Sequence, residues 1–251
     1  SWEPAPGLRF NFAGGWEDTA LAKGSKSVDL MDRTDAANHP DWIVVKPFVT
    51  QTSNCILPKY VVAASLEYGG SQAPGETASS NVMLICGRTY GAQTDPITGK
   101  AYTPVQNPAY PDYPGFDPAS APNNGEGFDK DLSGNELPNA PPFTVSAGAQ
   151  YTIPLSSDWA GTLRADYYWQ DYSWARIFND NPYDRLRGYT NVNLTVILTS
   201  QAGWQVMLYD KNIFNTTAIT GTFLNSDDSG LTTNVFLTDP KLIGIRVTKN
   251  W

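Results

Sequence analysis

Histidine occurs once in this chain, at His39, and cysteine only at Cys55 and Cys86. Neither cysteine lies in a CxxC, so a zinc site lacks the nitrogen and sulfur ligands it needs. His39 sits in Asn38-His39-Pro40 and no GxSxG is present, which removes Ser–His–Asp nucleophile chemistry. No GxGxxG follows a strand pattern and no Walker sequence exists, so the common phosphate cradles are missing. Charge is also scarce, at 17% of residues, against about 25% in soluble domains. The net charge of −8 excludes nucleic acid as a partner, because neutralising phosphates requires clustered Lys and Arg. No run reaches the roughly 18 apolar residues of a spanning helix. Ser1-Trp2-Glu3-Pro4-Ala5-Pro6 has no basic start and no apolar core, so no signal peptide is read there. The expectation is a processed N-terminus or a chain that begins mid-protein.

What the chain does contain is 12% aromatic residues, eight of them Trp, with 21 Gly and 19 Pro. The prolines gather between residues 21 and 142, where periodicity fades and runs such as Pro108-Ala109-Tyr110-Pro111 predict irregular backbone. Pro58 to Glu67 in this stretch predicts a short helix opening on proline. On either side the pattern is period two. Leu8, Phe10 and Phe12 alternate with Arg9 and Asn11, which predicts a strand within residues 1–20. From 143 to 251 the alternation is sustained. Phe143, Val145, Ala147, Ala149, Tyr151 and Ile153 share one parity, as do Trp159, Gly161, Leu163, Ala165, Tyr167 and Trp169. Val192–Leu198, Trp204–Leu208 and Ile243–Val247 continue it, although Lys249 falls on the apolar parity of the last run.

These are five strands of about 9–11 residues, the length that crosses a bilayer at a tilt near 45°. Trp, Tyr or Phe stand near their ends around aliphatic middles, as the interfacial girdles of a barrel require. The opposite rows carry Arg164, Asp166 and Arg246, which suit a polar lumen. Short links (154–158 and 199–203) alternate with long ones (21–142, 170–188 and 212–240). Transmembrane barrels show that asymmetry between periplasmic turns and external loops. The fold class expected is all-β: part of an antiparallel transmembrane β-barrel with long extracellular loops.

Asp131-Leu132-Ser133-Gly134-Asn135-Glu136-Leu137-Pro138-Asn139-Ala140-Pro141 resembles a segment that precedes a late barrel strand in TonB-dependent outer-membrane receptors. Gly203-Trp204-Gln205-Val206 through Asn212-Ile213-Phe214-Asn215 is similar to the next-to-last strand of that family. Leu242 to Trp251 resembles its closing strand. The residues Ile243, Ile245, Val247 and Trp251 would form the insertion signal read by the barrel assembly machinery. Pro40-Asp41-Trp42-Ile43-Val44-Val45 and Asn54-Cys55 look like a loop segment of one subgroup. The resemblance implies about the last six strands of a 22-stranded barrel. The plug domain and TonB-contacting box of the family are missing from this sequence. Six strands cannot close such a barrel, and an open sheet in lipid leaves unpaired backbone groups. The segment is therefore expected to be a fragment or one piece of a longer receptor.

Several motifs point elsewhere and are weaker. Asp129-Lys130-Asp131-Leu132-Ser133-Gly134 begins like a calcium loop, but Ala140 stands where the bidentate Glu belongs. Asp166, Asp171, Asp180 and Asp184 beside Tyr167, Tyr168, Trp169 and Trp174 evoke a glycosidase cleft. Arg164, two residues from Asp166 on the same strand face, would keep that carboxylate ionised. Cys55 and Cys86 suit a loop disulfide in an oxidising compartment, with two buried thiols as the other reading.

The expected function is receptor and transporter, not enzyme, with no cofactor or metal. It would take up a scarce nutrient, such as a ferric siderophore or carbohydrate, across the outer membrane of a Gram-negative bacterium. TonB would act through the missing plug, and outer-membrane lipid would surround the wall. Candidate ligand residues are Trp42, Arg164, Asp166, Tyr168, Tyr172, Trp174, Arg176, Arg185 and Arg187, amphipathic or charged side chains of loops and lumen. A passive porin-like channel and a soluble β-sandwich carbohydrate-binding module are the alternatives.

Overall fold

The structure, a computed structural model, describes residues 1–46, 54–68, 120–225 and 232–250. Its strands are β1 (Trp2–Ala5), β2 (Leu8–Trp16), β3 (Lys26–Val28), β4 (Trp42–Val45), β5 (Cys55–Pro58), β6 (Asp129–Asp131) and β7 (Phe143–Pro154). They continue as β8 (Trp159–Gln170), β9 (Ser173–Trp174), β10 (Arg185–Leu186), β11 (Tyr189–Ser200) and β12 (Trp204–Lys211). The last are β13 (Ile219–Leu224), β14 (Thr233–Leu237) and β15 (Leu242–Lys249), and an α-helix, α1 (Lys59–Tyr68), follows β5. Seven strands form one sheet in the order β1-β2-β7-β8-β11-β12-β15. Every neighbouring pair in it is antiparallel.

The alternation predicts one strand within residues 1–20; in the structure Trp2–Ala5 also folds back on β2 as an edge strand. Pro4 hides it by breaking the alternation, yet proline is tolerated at a sheet edge. Gly7 makes the fold-back possible. Its φ is +76°, and a side chain there would run into the Thr152 carbonyl oxygen. Gly203, in the β11–β12 turn, is constrained in the same way by the Asn250 carbonyl, with φ at +84°.

The pairing register converts strand alternation into two faces. Leu8, Tyr151, Leu163, Val196, Leu208 and Ile245 stand opposite one another in a continuous row from β2 to β15. The adjacent row, on the other face, reads Arg9, Gln150, Arg164, Thr195, Tyr209 and Gly244. A slip of one residue in any pair would mix the two. The apolar row is uncovered: Leu163 is 57% exposed, Leu208 48% and Ile245 63%. Soluble antiparallel sheets pack their apolar face on a core. This sheet does the reverse.

The described residues divide into two compact units. One comprises Ser1–Leu21, Gly134–Phe223 and Val235–Trp251, the other Ala22–Ser133 and Leu224–Asn234. Among the described residues, the only buried apolar one that belongs to the first unit, which contains the large sheet, is Leu186. The second unit has a small conventional core of Cys55, Leu57, Val61 and Ala121, with Trp42, Val45 and Val62 packed against it. Cys55 is disulfide-bonded. Cys86 and Trp251 lie outside the described residues. In the same unit β4 pairs with β5, and β3 with β6. The buried Arg33 guanidinium donates to the Asn54 and Glu126 carbonyl oxygens at 3.4 and 3.1 Å.

Among the described residues no helix is long and apolar enough to cross a membrane, which says nothing of crossing by strands.

Candidate functional site

Two places on the first unit gather polar and aromatic side chains: the polar sheet face and the end of the sheet where the long connections leave. On the polar face Arg164 donates from Nε and Nη2 to Asp166, at 2.7 and 2.5 Å, and from Nη1 to Gln150 at 3.2 Å. Alternation places Arg164 and Asp166 on the same side of β8, so this bidentate pair follows directly from the strand. Tyr168 donates to Gln170 at 3.0 Å, and Thr152 and Thr162 share a hydroxyl contact at 2.8 Å. Asn191, opposite Tyr168, has a buried side-chain oxygen with no protein partner. A wall of this composition can hydrate or bind a polar solute, and it has little reason to face lipid.

At the other place, segment 134–142 anchors the 171–188 loop. Asn135 donates to the carbonyl oxygens of Ile177 and Phe178 at 2.9 and 2.8 Å. The Glu136 backbone N–H donates to the Asn179 side chain at 2.6 Å, and Asn139 N–H to the Trp174 carbonyl at 2.8 Å. Within the loop β9 pairs with β10, placing Trp174 opposite Arg185. Arg176 grips the Asp184 carboxylate at 2.9 and 2.6 Å, both side chains largely buried. The Arg185 guanidinium lies 4.2 Å from the Tyr172 ring centroid. Tyr172 donates its hydroxyl proton to Glu136 at 3.1 Å. That hydrogen bond, reinforced by the Glu136 charge, lifts the Tyr172 pKa above the usual 10.0.

Beside this loop lies an open groove of about 700 Å³ lined by Trp169, Tyr183, Arg185, Arg187, Tyr189 and Ile219, among others. Among the described residues, the only charged ones that line it are the two arginines.

The sequence candidates thus separate. Arg164, Asp166 and Tyr168 meet on the polar face, whereas Tyr172, Trp174, Arg176, Arg185 and Arg187 belong to the loop. Within it, Trp174 and Arg176 are used in holding the loop together. Trp42 is in the second unit, edge-on to Phe128 with centroids 5.1 Å apart, and serves that unit's packing. Of the carboxylates that evoked a glycosidase, Asp166 and Asp184 are held by arginines, and Asp171 accepts the Tyr172 N–H at 2.7 Å.

The stretch resembling a calcium loop is instead strand β6 and the turn after it. Asp131 accepts from Ser133 N–H and O–H at 2.9 and 2.5 Å, which pulls its carboxyl pKa down. Among the described residues no group of three or more His, Cys, Asp or Glu side chains could hold a metal.

Sequence reasoning missed the anchoring roles of Asn135, Glu136 and Asn179, and that of the buried Asn212. Asn212 donates to the Thr216 and Asp239 carbonyls at 2.9 and 2.8 Å and accepts from Thr216 N–H at 2.8 Å. It thereby closes the connection after β12. The asparagines themselves were the available signal, since Asn suits turns and left-handed backbone.

No family model matches the chain, and no curated protein matches it. Among solved structures, the ferric yersiniabactin uptake receptor FyuA from Yersinia pestis is similar over 46% of this chain, at 16% identity and a TM-score of 0.40. The match spans 17% of that receptor's length. A likeness of this extent assigns neither fold nor function.

Proposed function

We propose that this chain forms part of the wall and external loops of an outer-membrane β-barrel receptor that takes up a scarce nutrient. The observation that carries this reading is the uncovered apolar row from Leu8 to Ile245, backed by a polar row on the other face. A sheet with that polarity is stable where lipid meets the first face and water the second. The resemblance of the 131–141, 203–215 and 242–251 segments to TonB-dependent receptors supplies the finer reading. It names active uptake, energised through TonB and a plug domain, of a ligand such as a ferric siderophore or carbohydrate. In that mechanism no covalent bond changes. The polar face and the outer loops bind, and the connections at the Trp16, Phe143 and Trp169 end of the sheet face outward from the cell.

Two polar features support binding over simple passage. The Arg164–Asp166–Gln150 cluster presents fixed donors and acceptors on the polar face. The 171–188 loop is organised by hydrogen bonds and an ion pair. Organised loops preserve a binding shape.

The test is uptake of labelled ferric chelates, cobalamin and oligosaccharides by cells producing the protein, with and without TonB. Accumulation of one ligand that requires both the protein and TonB supports the receptor. Accumulation that persists without TonB, scales with external concentration and shows no saturation identifies a passive channel.

A further inference from the structure

We propose that the groove beside the 171–188 loop is a seat for the phosphate-bearing headgroup of an anionic membrane lipid, held by Arg185 and Arg187. The assignment rests on the reading of the apolar row as lipid-facing.

The first observation is placement. Trp169 stands opposite Val145 on β7 and Thr190 on β11. By strand parity it belongs to the same face as Leu163 and Val196. Trp169 and Thr190 both line the groove. The groove therefore reaches the apolar face through Trp169 and Thr190, at the end where the long connections leave, and Tyr189, of the opposite parity, also lines it. Tryptophan at such an end marks the level of lipid headgroups.

The second observation is charge. Arg164 and Arg176 are each satisfied by a carboxylate. Arg185 and Arg187 are exposed, and among the described residues no carboxylate forms an ion pair with either. The Arg185 guanidinium carbon lies 4.2 Å from the Tyr172 ring centroid, a cation–π contact that holds the side chain without occupying its N–H donors. Two unpaired guanidiniums in a chain of net charge −8 are a local inversion of sign. They are matched by phosphate, which guanidinium binds through parallel hydrogen bonds.

The third is shape. A groove of about 700 Å³ is far larger than a simple ion needs. Along β8 the face that carries Trp169 goes on through Tyr167 and Leu163, both exposed, which suits acyl chains below a headgroup. A water-soluble anion would gain from the arginines and nothing from that surface.

The test is native mass spectrometry of the whole protein, released from a neutral detergent after addition of phosphatidic acid or of phosphatidylcholine with the same acyl chains. Phosphatidic acid is expected to be retained in preference to phosphatidylcholine. Substituting R185Q and R187Q together should lower its retention roughly thirtyfold, from the electrostatic attraction of two basic side chains to anionic lipid. K23Q with K59Q, an equal loss of charge at exposed sites elsewhere, should leave it unchanged. If the double variant loses its β-sheet circular dichroism, R187Q alone is used, because that exposed side chain makes no ion pair among the described residues. Undiminished retention in the arginine variants overturns the assignment. So does displacement of phosphatidic acid by equimolar inorganic phosphate, which would make the groove a site for soluble anions. Failure of the membrane reading has a different signature: a protein monodisperse without detergent that retains neither lipid.

Discussion

The Lys249 ammonium lies 5.2 Å from the centroid of the Trp204 ring, directly across the β12–β15 pair. It also donates to the Ala202 carbonyl in the adjacent turn. Lys249 was the one residue of the closing strand that broke the apolar row. Its stem lies along that row while its charge bends back to the turn, as long cationic side chains do at a membrane boundary. Asp210 occupies the same parity at the opposite end of β12, where it pairs with Lys241 at 3.1 Å. Between them, Val206 and Leu208 carry no charge. Ionised groups on this face are confined to its margins.

Depth along the row should therefore govern tolerance of charge. Leu163→Arg or Leu208→Lys, in the middle, is expected to cost about 2–4 kcal/mol in urea unfolding from lipid vesicles. Trp204→Lys, at the margin, is expected to cost about 1 kcal/mol or less. Equal costs at both depths would contradict a lipid-facing row.

The Arg176–Asp184 pair is largely buried, so removing one partner strands the other charge. Arg176→Ala should destabilise the 171–188 loop by about 3 kcal/mol. Hydrogen exchange would register this as faster amide exchange at Ala175 and Asp184, whose backbones are bonded at 2.7 Å, with β7 and β8 unchanged. Loss of protection spread through the sheet would show that the loop and sheet unfold together.

Tyr172 is protonated when it donates to Glu136, and its pKa is raised above 10.0 in the fold. A raised pKa means the stabilisation is complete below the unfolded value and is lost as pH rises through the folded value. Loop protection is therefore expected to hold up to about pH 10 and to fall beyond it. Tyr172→Phe should remove the alkaline step, and an ultraviolet titration of the phenol is the check.

Asn212 closes the connection after β12 with three side-chain hydrogen bonds and a backbone φ of +50°. Asn212→Ala leaves these backbone groups without their partner and puts alanine in a left-handed conformation. The expected loss is about 2–3 kcal/mol of local stability. Asn212→Gly, which relieves only the backbone term, should recover part of it.

Much of the sheet was legible because alternation is a property of consecutive residues. Phe143 to Ile153 or Trp159 to Trp169 declares its two faces without reference to any partner. The strand β1 was illegible because Pro4 and Pro6 interrupt its pattern, and only the turn at Gly7 restores it to the sheet. The strand pairing of the second unit was illegible for another reason. Cys55-Ile56-Leu57 is a short continuous apolar run, which periodicity cannot assign, and its partner Trp42-Ile43-Val44-Val45 lies beyond a connection. The candidate site shows the same division. Arg164 and Asp166 pair within one strand and could be foreseen, whereas sorting Arg176 from Arg185 and Arg187 depends on the folded loop.

Oxygen and nickel-chelate accessibility of spin labels tests the two-faced sheet most directly. Labels would replace Leu163, Val196 and Ile245 in one set, and Ser146, Thr195 and Thr248 in the other, with the protein in lipid bilayers. The account predicts high oxygen and low nickel accessibility for the first set, and the opposite for the second. If the first set proves accessible to the nickel chelate and the second to oxygen, the sheet does not face lipid with its apolar row, and the membrane assignment is wrong.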